Sequence, residues 1–76
     1  MFNDDLLVEV VTNRGKTMAA VAEAIGIDES TLYRKRKGIS EFTAKDIKGI
    51  RKFLDLNVAE MDSIFFAEEL AETQVS

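Results

Sequence analysis

The side chains best suited to chemistry lie in one short stretch, ESTLYRKRKG, at positions 29–38. Ser30, Tyr33, Arg34 and Lys37 recur there at intervals of three and four residues, which places them on one side of a helix. Hydroxyl and guanidinium groups donate hydrogen bonds to the edges of nucleic-acid bases, and cations neutralise phosphate groups. These residue types in this pattern therefore favour recognition of a polyanion by a helix.

Acid–base, metal and nucleophilic chemistry has little support in the composition. The 76 residues include no histidine and no cysteine, which removes the usual general base and the commonest metal ligands. The paired acids Asp4 and Asp5, and Glu68 and Glu69, are interpreted as solvated helix ends, and RGK at 14–16 lacks the glycine-rich frame of a phosphate-binding loop. We predict a protein that is not an enzyme, with no catalytic residue, metal or cofactor.

The net charge of -4 hides an uneven distribution along the chain. Residues 14–52 hold all ten Lys and Arg but only five Asp and Glu, a balance of +5, whereas residues 1–13 carry -3 and residues 53–76 carry -6. This division predicts one positive face and one negative face on the same small domain. We expect the acidic flanks to be turned away from any bound polyanion.

Capping residues divide the chain into five helices, whose predicted N-caps are Asn3, Thr17, Asp28, Thr43 and Asn57. Gly15, Gly26 and Gly38 end the first three helices. Thr43 with Asp46, and Asn57 with Glu60, have the spacing of capping boxes. No segment alternates strictly over the length of a strand, so the predicted fold class is all-α. The predicted domain covers residues 1–70, followed by a frayed tail at 71–76.

Apolar residues recur at helical spacing in four of these helices and predict a single core. The predicted core positions are Phe2, Leu6, Leu7, Val10, Val11, Met18, Val21, Ala22, Ile25, Ile47, Ile50, Phe53, Leu54, Val58, Met61, Ile64 and Phe65. In the third helix Leu32 is the only strongly apolar residue. Most of that helix must therefore face water or a partner.

The second and third helices are joined by Gly26, Ile27 and the capping residue Asp28, a short turn that sets two helices at a steep angle. Gly26 can adopt the left-handed conformation that such a turn needs. Ala22 is small, as expected where the third helix crosses the second. The pattern predicts a helix-turn-helix whose third helix is held outward.

The segment MAAVAEAIGIDESTLYRKRKG, with Ala22, Gly26 and the apolar Val21, Ile25, Ile27 and Leu32, resembles the phage-type Cro and repressor helix-turn-helix (XRE-like) proteins. The resemblance continues into ISEFTAKDIKGIRKFLDL and EMDSIFF and covers roughly residues 4–66. It implies a compact five-helix lambda-repressor-like domain. It also implies a sequence-specific double-stranded DNA-binding transcriptional regulator, phage or prophage encoded, that acts by operator occupancy.

The same resemblance implies roles for individual residues. Base-reading residues would be Glu29, Ser30, Tyr33 and Arg34, and phosphate-contacting residues would be Lys16, Thr17, Thr31, Arg36, Lys37 and Lys45. Tyr33 could instead pack on a sugar or a thymine methyl, Glu29 could serve only as a cap, and RKRK could be only a solvated helix end. Two positions depart from the family pattern. Met18 replaces a glutamine that touches phosphate, and Lys35 replaces an apolar residue, so that its stem would lie along the core with the ammonium reaching out.

The C-terminal helix carries Phe66 and Leu70 outside its core stripe, which predicts a homodimer through this end; alternatively, Phe66 folds back onto the first helix or the tail. The N-terminus MFNDDLL has acids where a secretion signal has cations, so we expect a cytoplasmic protein with no membrane contact. We also expect no small-molecule substrate. The alternative function is a protein–protein interaction module that kept the helix-turn-helix fold. That alternative is motivated by a pI near 4.7 and the acidic C-terminal helix.

Overall fold

The computed structural model describes residues 2–66, which form five α-helices and no strand. The helices are α1 Asp4–Asn13, α2 Met18–Ile25, α3 Glu29–Arg36, α4 Ala44–Leu54 and α5 Val58–Phe65. The prediction of an all-α, five-helix domain is confirmed. Leu70, the acid pair at 68–69 and the tail at 71–76 lie outside the described residues. Within residues 2–66, no helix combines the length and apolar character needed to span a bilayer.

Side chains that accept hydrogen bonds from backbone N–H groups begin four of the helices, as predicted. Asn3 Oδ1 accepts from the Leu6 N–H at 3.1 Å, and Thr17 Oγ1 accepts from the Ala20 N–H at 3.1 Å. Both predicted capping boxes form, in α4 and in α5. These local bonds satisfy N–H groups that no earlier turn of helix can reach.

Asp28 is the exception among the predicted caps. It occupies the N-cap position of α3 with extended backbone, but its side chain makes no capping hydrogen bond. Asp28 is exposed next to the first turn of α3. Its negative charge there still interacts favourably with the helix dipole.

The core is formed by apolar residues from all five helices and from the α4–α5 turn. The buried members are Leu7, Val10, Val11, Val21, Ala22, Leu32, Ile50, Leu54, Leu56, Ile64 and Phe65, with the predicted residues Phe2, Leu6, Met18, Ile25, Ile47, Phe53 and Met61 packed partly buried against them. The prediction for Val58 is wrong, since this residue is 63% exposed. Val58 is the first residue of α5, and the rest of the described chain does not cover this end of the helix.

Helices α1 and α5 pack with opposite directions. The Asn3 N–H at the start of α1 donates to the Ile64 carbonyl near the end of α5 at 2.6 Å, and Arg14 after α1 pairs with Glu60 in the first turn of α5 at 2.8 Å. The hydrogen bond from the Asn57 N–H and the pairing with Arg14 keep the pKa of Glu60 below its ordinary value. This packing brings the two ends of the described part of the chain together on one side of the domain.

Helix α2 packs against both α3 and α4, and its contact with α4 depends on a glycine. A Cβ atom at Gly49 would lie 2.8 Å from Cγ2 of Ile25, closer than packed carbon atoms approach one another. A side chain at position 49 would therefore force α4 and α2 to shift apart at Ile25. The sequence pattern had not singled out Gly49.

Candidate nucleic-acid interface

The junction between α2 and α3 consists of three residues, 26–28. Gly26 has a φ of 76° and the left-handed conformation predicted for it, and the Ile27 N–H donates to the Ala22 carbonyl at 3.0 Å. A residue with a Cβ would be strained in this conformation. Leu32 is fully buried, so α3 is anchored to the core through one apolar side chain.

The predicted base-reading residues all lie on the surface. Glu29, Ser30, Tyr33 and Arg34 are exposed, and the exposed fraction of Tyr33 is 53%. Within the described part of the chain, the one hydrogen-bond partner of the Arg34 guanidinium is Thr31 Oγ1, at 3.1 Å. The structure thus brings these four side chains together on α3 and leaves the Arg34 charge uncompensated there.

The four consecutive cations at 34–37 do not form one solvated group. Lys35 forms an ion pair with Asp46, and the two side chains are only 11% and 8% exposed. The expectation that the Lys35 ammonium reaches out to solvent is wrong. The ammonium ends inside the protein because the Asp46 carboxylate from α4 is buried at that point.

Asp46 serves both α3 and α4. Its Oδ2 accepts from the Thr43 N–H at 3.0 Å, which completes the α4 capping box, and the same oxygen accepts from Lys35 Nζ. Burial favours the neutral carboxyl, but the hydrogen bonds from Lys35 and Thr43 outweigh it, and the pKa of Asp46 lies below its ordinary value. The start of α4 is therefore tied to the end of α3.

Arg36 is paired with the first residue of α1. Its Nε donates to Asp4 Oδ1 at 2.7 Å, and its Nη2 donates to Asp4 Oδ2 at 3.2 Å. Lys37 Nζ lies 3.4 Å from the same carboxylate. Partial burial raises the pKa of Asp4, but the hydrogen bonds and charge of Arg36, reinforced by Lys37, outweigh this effect and lower it below its ordinary value.

The Asp4 contacts correct two expectations. Asp4 is not a freely solvated helix end, and the acidic N-terminal flank is not separated from the basic segment, because Asp4 bonds to cations more than thirty positions away. Arg36 is half-buried against α1 instead of projecting from α3. Its phosphate contact stays a prediction that would require exchanging Asp4 for a phosphate.

The remaining predicted phosphate ligands lie at helix starts or near Tyr33. Lys16 Nζ is 5.2 Å from the centre of the Phe53 ring, and Lys37 Nζ is 5.5 Å from the centre of the Tyr33 ring. The Thr17 hydroxyl accepts the capping bond of α2, which leaves its hydrogen able to donate elsewhere. Lys45 is exposed in the first turn of α4.

Three exposed cations of α4 had been given no role by the sequence pattern. Lys48, Arg51 and Lys52 lie on the solvent side of that helix. The signal that could have found them is the spacing, since Lys48 follows Lys45 by three residues and Arg51 and Lys52 follow Lys48 by three and four.

Comparison of the chain with protein-family models, with curated proteins and with solved structures found no match. The class of protein is therefore defined by the structure and not by any relative. It is a small all-α domain that presents a polar and cationic helix. Among residues 2–66, no group of three or more acidic side chains converges as a metal site would require.

Proposed function

We propose that α2, residues 26–28 and α3 form a helix-turn-helix, and that the protein is a sequence-specific regulator of transcription that binds double-stranded DNA. Helix α3 would enter the major groove with Ser30, Tyr33 and Arg34 towards the base edges, Glu29 lying at its first turn. Occupation of an operator would then block access of polymerase. The resemblance to phage-type Cro and repressor proteins supports this proposal, and a role on DNA would place the protein in the cytoplasm of its host.

One observation carries the proposal, namely the division of the cations at 34–37. Lys35 and Arg36 are engaged with acids inside the domain, whereas Arg34 is exposed and has no carboxylate partner within residues 2–66. An arginine in this position can donate two parallel hydrogen bonds to guanine, a contact that discriminates between bases by about 1–3 kcal/mol. Arg34 is therefore the cation of this helix that is exposed and available to a ligand beside Ser30 and Tyr33.

Phosphate contacts would come from residues on both sides of α3. Lys16 and Thr17 precede α2, Lys45 lies in the first turn of α4, and Thr31 and Lys37 flank the exposed face of α3. Backbone contacts of this kind orient a protein on duplex DNA without reading its sequence. Arg36 is left out of the proposed set because its Nε and Nη2 already bond to Asp4 and its charge is compensated there.

A homodimer is the proposed assembly. Phe66 is 37% exposed at the end of α5, an apolar position that a second copy would cover; the alternative is that it folds back onto α1 or the tail. A two-fold dimer would place two copies of α3 about 34 Å apart, one turn of DNA, and would require a palindromic operator. Sedimentation of the protein and of a Phe66→Ser variant tests this, since the variant is expected to be monomeric at concentrations where the parent dimerises.

The test of DNA binding is a polarisation titration against duplexes from the region upstream of the protein's own coding sequence. Several phosphate contacts should lower the affinity by orders of magnitude between about 50 and 200 mM salt. A duplex of the same length and scrambled sequence is the control and should bind at least 1000-fold more weakly, on the order of the usual specificity ratio. An affinity that does not change with salt would exclude the proposal and favour the interaction module instead.

A further inference from the structure

The outer side of α4 carries four cations that the proposed helix-turn-helix does not need as a group. We call Lys45, Lys48, Arg51 and Lys52 the α4 basic surface; all four side chains are exposed. Lys45, Lys48 and Lys52 follow one another at intervals of three and four, and Arg51 lies three positions after Lys48, so they share one side of the helix. The opposite side contributes Ile50 and Leu54 to the core.

These cations have no acidic partner inside the described domain. None of the four forms an ion pair with a carboxylate of residues 2–66, whereas Arg14, Lys35, Arg36 and Lys37 all do. Asp46, the acid in the same helix, is turned inward to Lys35. Asp55 lines a shallow groove with Lys48, Arg51 and Lys52, but it lies beyond ion-pairing distance.

Helix stability explains only part of the α4 basic surface. Cations favour the last turn of a helix, which accounts for Arg51 and Lys52, but a cation in the first turn such as Lys45 opposes the helix dipole. Lys45 with Lys48, and Lys48 with Lys52, are like charges at neighbouring positions and repel one another. The chain as a whole is acidic, so general composition does not account for the patch either.

The position of this surface connects two parts of the proposed DNA interface. Lys45 is adjacent to Asp46, which holds Lys35 at the end of α3. At its other end Lys52 lines a groove with Phe53, and Lys16, at the entry to α2, lies 5.2 Å from the centre of the Phe53 ring. The α4 basic surface therefore runs from the end of α3 alongside α2, whose Ala24 lines the same groove as Lys52.

We propose that the α4 basic surface binds the sugar–phosphate backbone of duplex DNA on the flank of the segment read by α3. Lys45 and Lys52 are seven residues apart, about 10 Å along the helix. Each strand of a duplex carries one phosphate charge per about 3.4 Å of its axis, so about three phosphates of the flanking strand pass within that length. A row of four exposed cations can therefore neutralise the stretch of backbone that it faces. This inference rests on the proposed function, which it extends from base reading to the flanking backbone.

The experiment compares the protein with a Lys48→Gln/Lys52→Gln variant on two duplexes, one limited to the recognised segment and one longer by about one turn, 10 base pairs, at each end. Each lost phosphate contact should reduce the slope of log affinity against log salt by about 0.9. On the longer duplex the slope is expected to fall by about two, with unchanged sequence preference. On the shorter duplex the change should be smaller.

A Val8→Glu/Thr12→Glu variant is the matched control, because it changes the net charge equally at exposed positions on α1. An equal loss of slope in this control, or an unchanged slope in the Lys48→Gln/Lys52→Gln variant, overturns the inference. So does a result in which the latter variant loses only self-association, which would identify α4 as a contact between copies.

The two proposals fail in different ways. Absence of duplex binding by the parent protein overturns the proposed function and this extension with it. Binding that lacks sequence preference but still depends on Lys48 and Lys52 overturns the base-reading role of α3 alone.

Discussion

Lys35 of α3 and Asp46 of α4 form an ion pair that is almost entirely inside the protein, although Lys35 stands in the middle of a run of four cations. The same carboxylate caps α4 through the Thr43 N–H. Because Leu32 is the only buried residue of α3, the polar bond to Asp46 is a main determinant of how this helix sits on the domain. A pair of this kind fixes orientation through its geometry.

Removal of the Lys35 ammonium should destabilise the fold. In a Lys35→Met variant Asp46 keeps its bond to the Thr43 N–H but loses its counter-ion, and leaving a buried charge unpaired costs about 3 kcal/mol. We expect the free energy of unfolding, measured by urea denaturation followed by circular dichroism, to fall by this amount. Lys48→Met makes the same change at an exposed position and should remain within about 0.5 kcal/mol of the parent. Equal stability of the two variants would contradict the role of the pair.

Neutralising Asp4 should strengthen binding to DNA. Asp4 holds Arg36 and Lys37, so Asp4→Asn releases two cations next to the exposed face of α3. We expect duplex affinity to rise roughly fivefold and its salt dependence to steepen, while the free energy of unfolding falls by no more than about 1 kcal/mol, the value of a partly exposed ion pair. Asp5→Asn removes the same charge from an exposed neighbour and is the control in both measurements. A weaker affinity for Asp4→Asn than for Asp5→Asn would refute this prediction.

Arg34 and Lys37 should differ in what they contribute to binding. Arg34→Ala is expected to reduce the preference for the operator over a scrambled duplex by about 5- to 150-fold, equivalent to about 1–3 kcal/mol, with little effect on the scrambled duplex. Lys37→Ala should weaken both duplexes alike, because a phosphate contact carries no sequence information. Arg34→Lys keeps the charge but not the two parallel donors, so it should bind the scrambled duplex like the parent and lose part of the preference for the operator. Identical effects of the two alanine substitutions would reject this division.

Acid should destabilise the protein, whereas changes near neutrality should not. The folded protein lowers the pKa values of Asp4, Asp46 and Glu60, so below about pH 5 the unfolded chain binds more protons than the folded one. The stability from these carboxylates is complete above their unfolded pKa values, near 4, and is lost as the pH falls through the lower folded values.

Urea denaturation between pH 8 and 3 should therefore show a plateau above pH 6, where no histidine titrates, and a decline below pH 5. In Asp46→Asn the decline should be shallower. A variant curve parallel to that of the parent would show that Asp46 does not contribute to the acid response.

Local features of this fold could be predicted from the sequence. The caps at Asn3 and Thr17 and the left-handed Gly26 depend on atoms a few residues apart, so residue type and spacing carry the information. The apolar stripes are equally local, since helical spacing alone determines which side of a helix is apolar. Val58 shows the limit of this reasoning, because it has the correct spacing but lies at the uncovered end of α5.

The candidate interface was only partly predictable. Residue type and spacing were sufficient to place Ser30, Tyr33 and Arg34 on one exposed side of α3. Lys35 and Arg36 lie three and four residues after the buried Leu32, and that spacing puts them on the inner side of α3. Spacing could not identify Asp46 and Asp4, on other helices, as the acids that hold them.

The sequence by itself determined the five helices, their starts and the polar character of α3, because hydrogen bonds and periodicity within a few residues govern them. Only the tertiary structure decided which distant acids hold the inward-facing cations and where a glycine is required. Asp46 lies 11 positions from Lys35, Asp4 lies 32 from Arg36, and Gly49 meets Ile25 on a different helix. Such contacts depend on how whole helices pack, and no local spacing specifies which distant side chain a residue will meet.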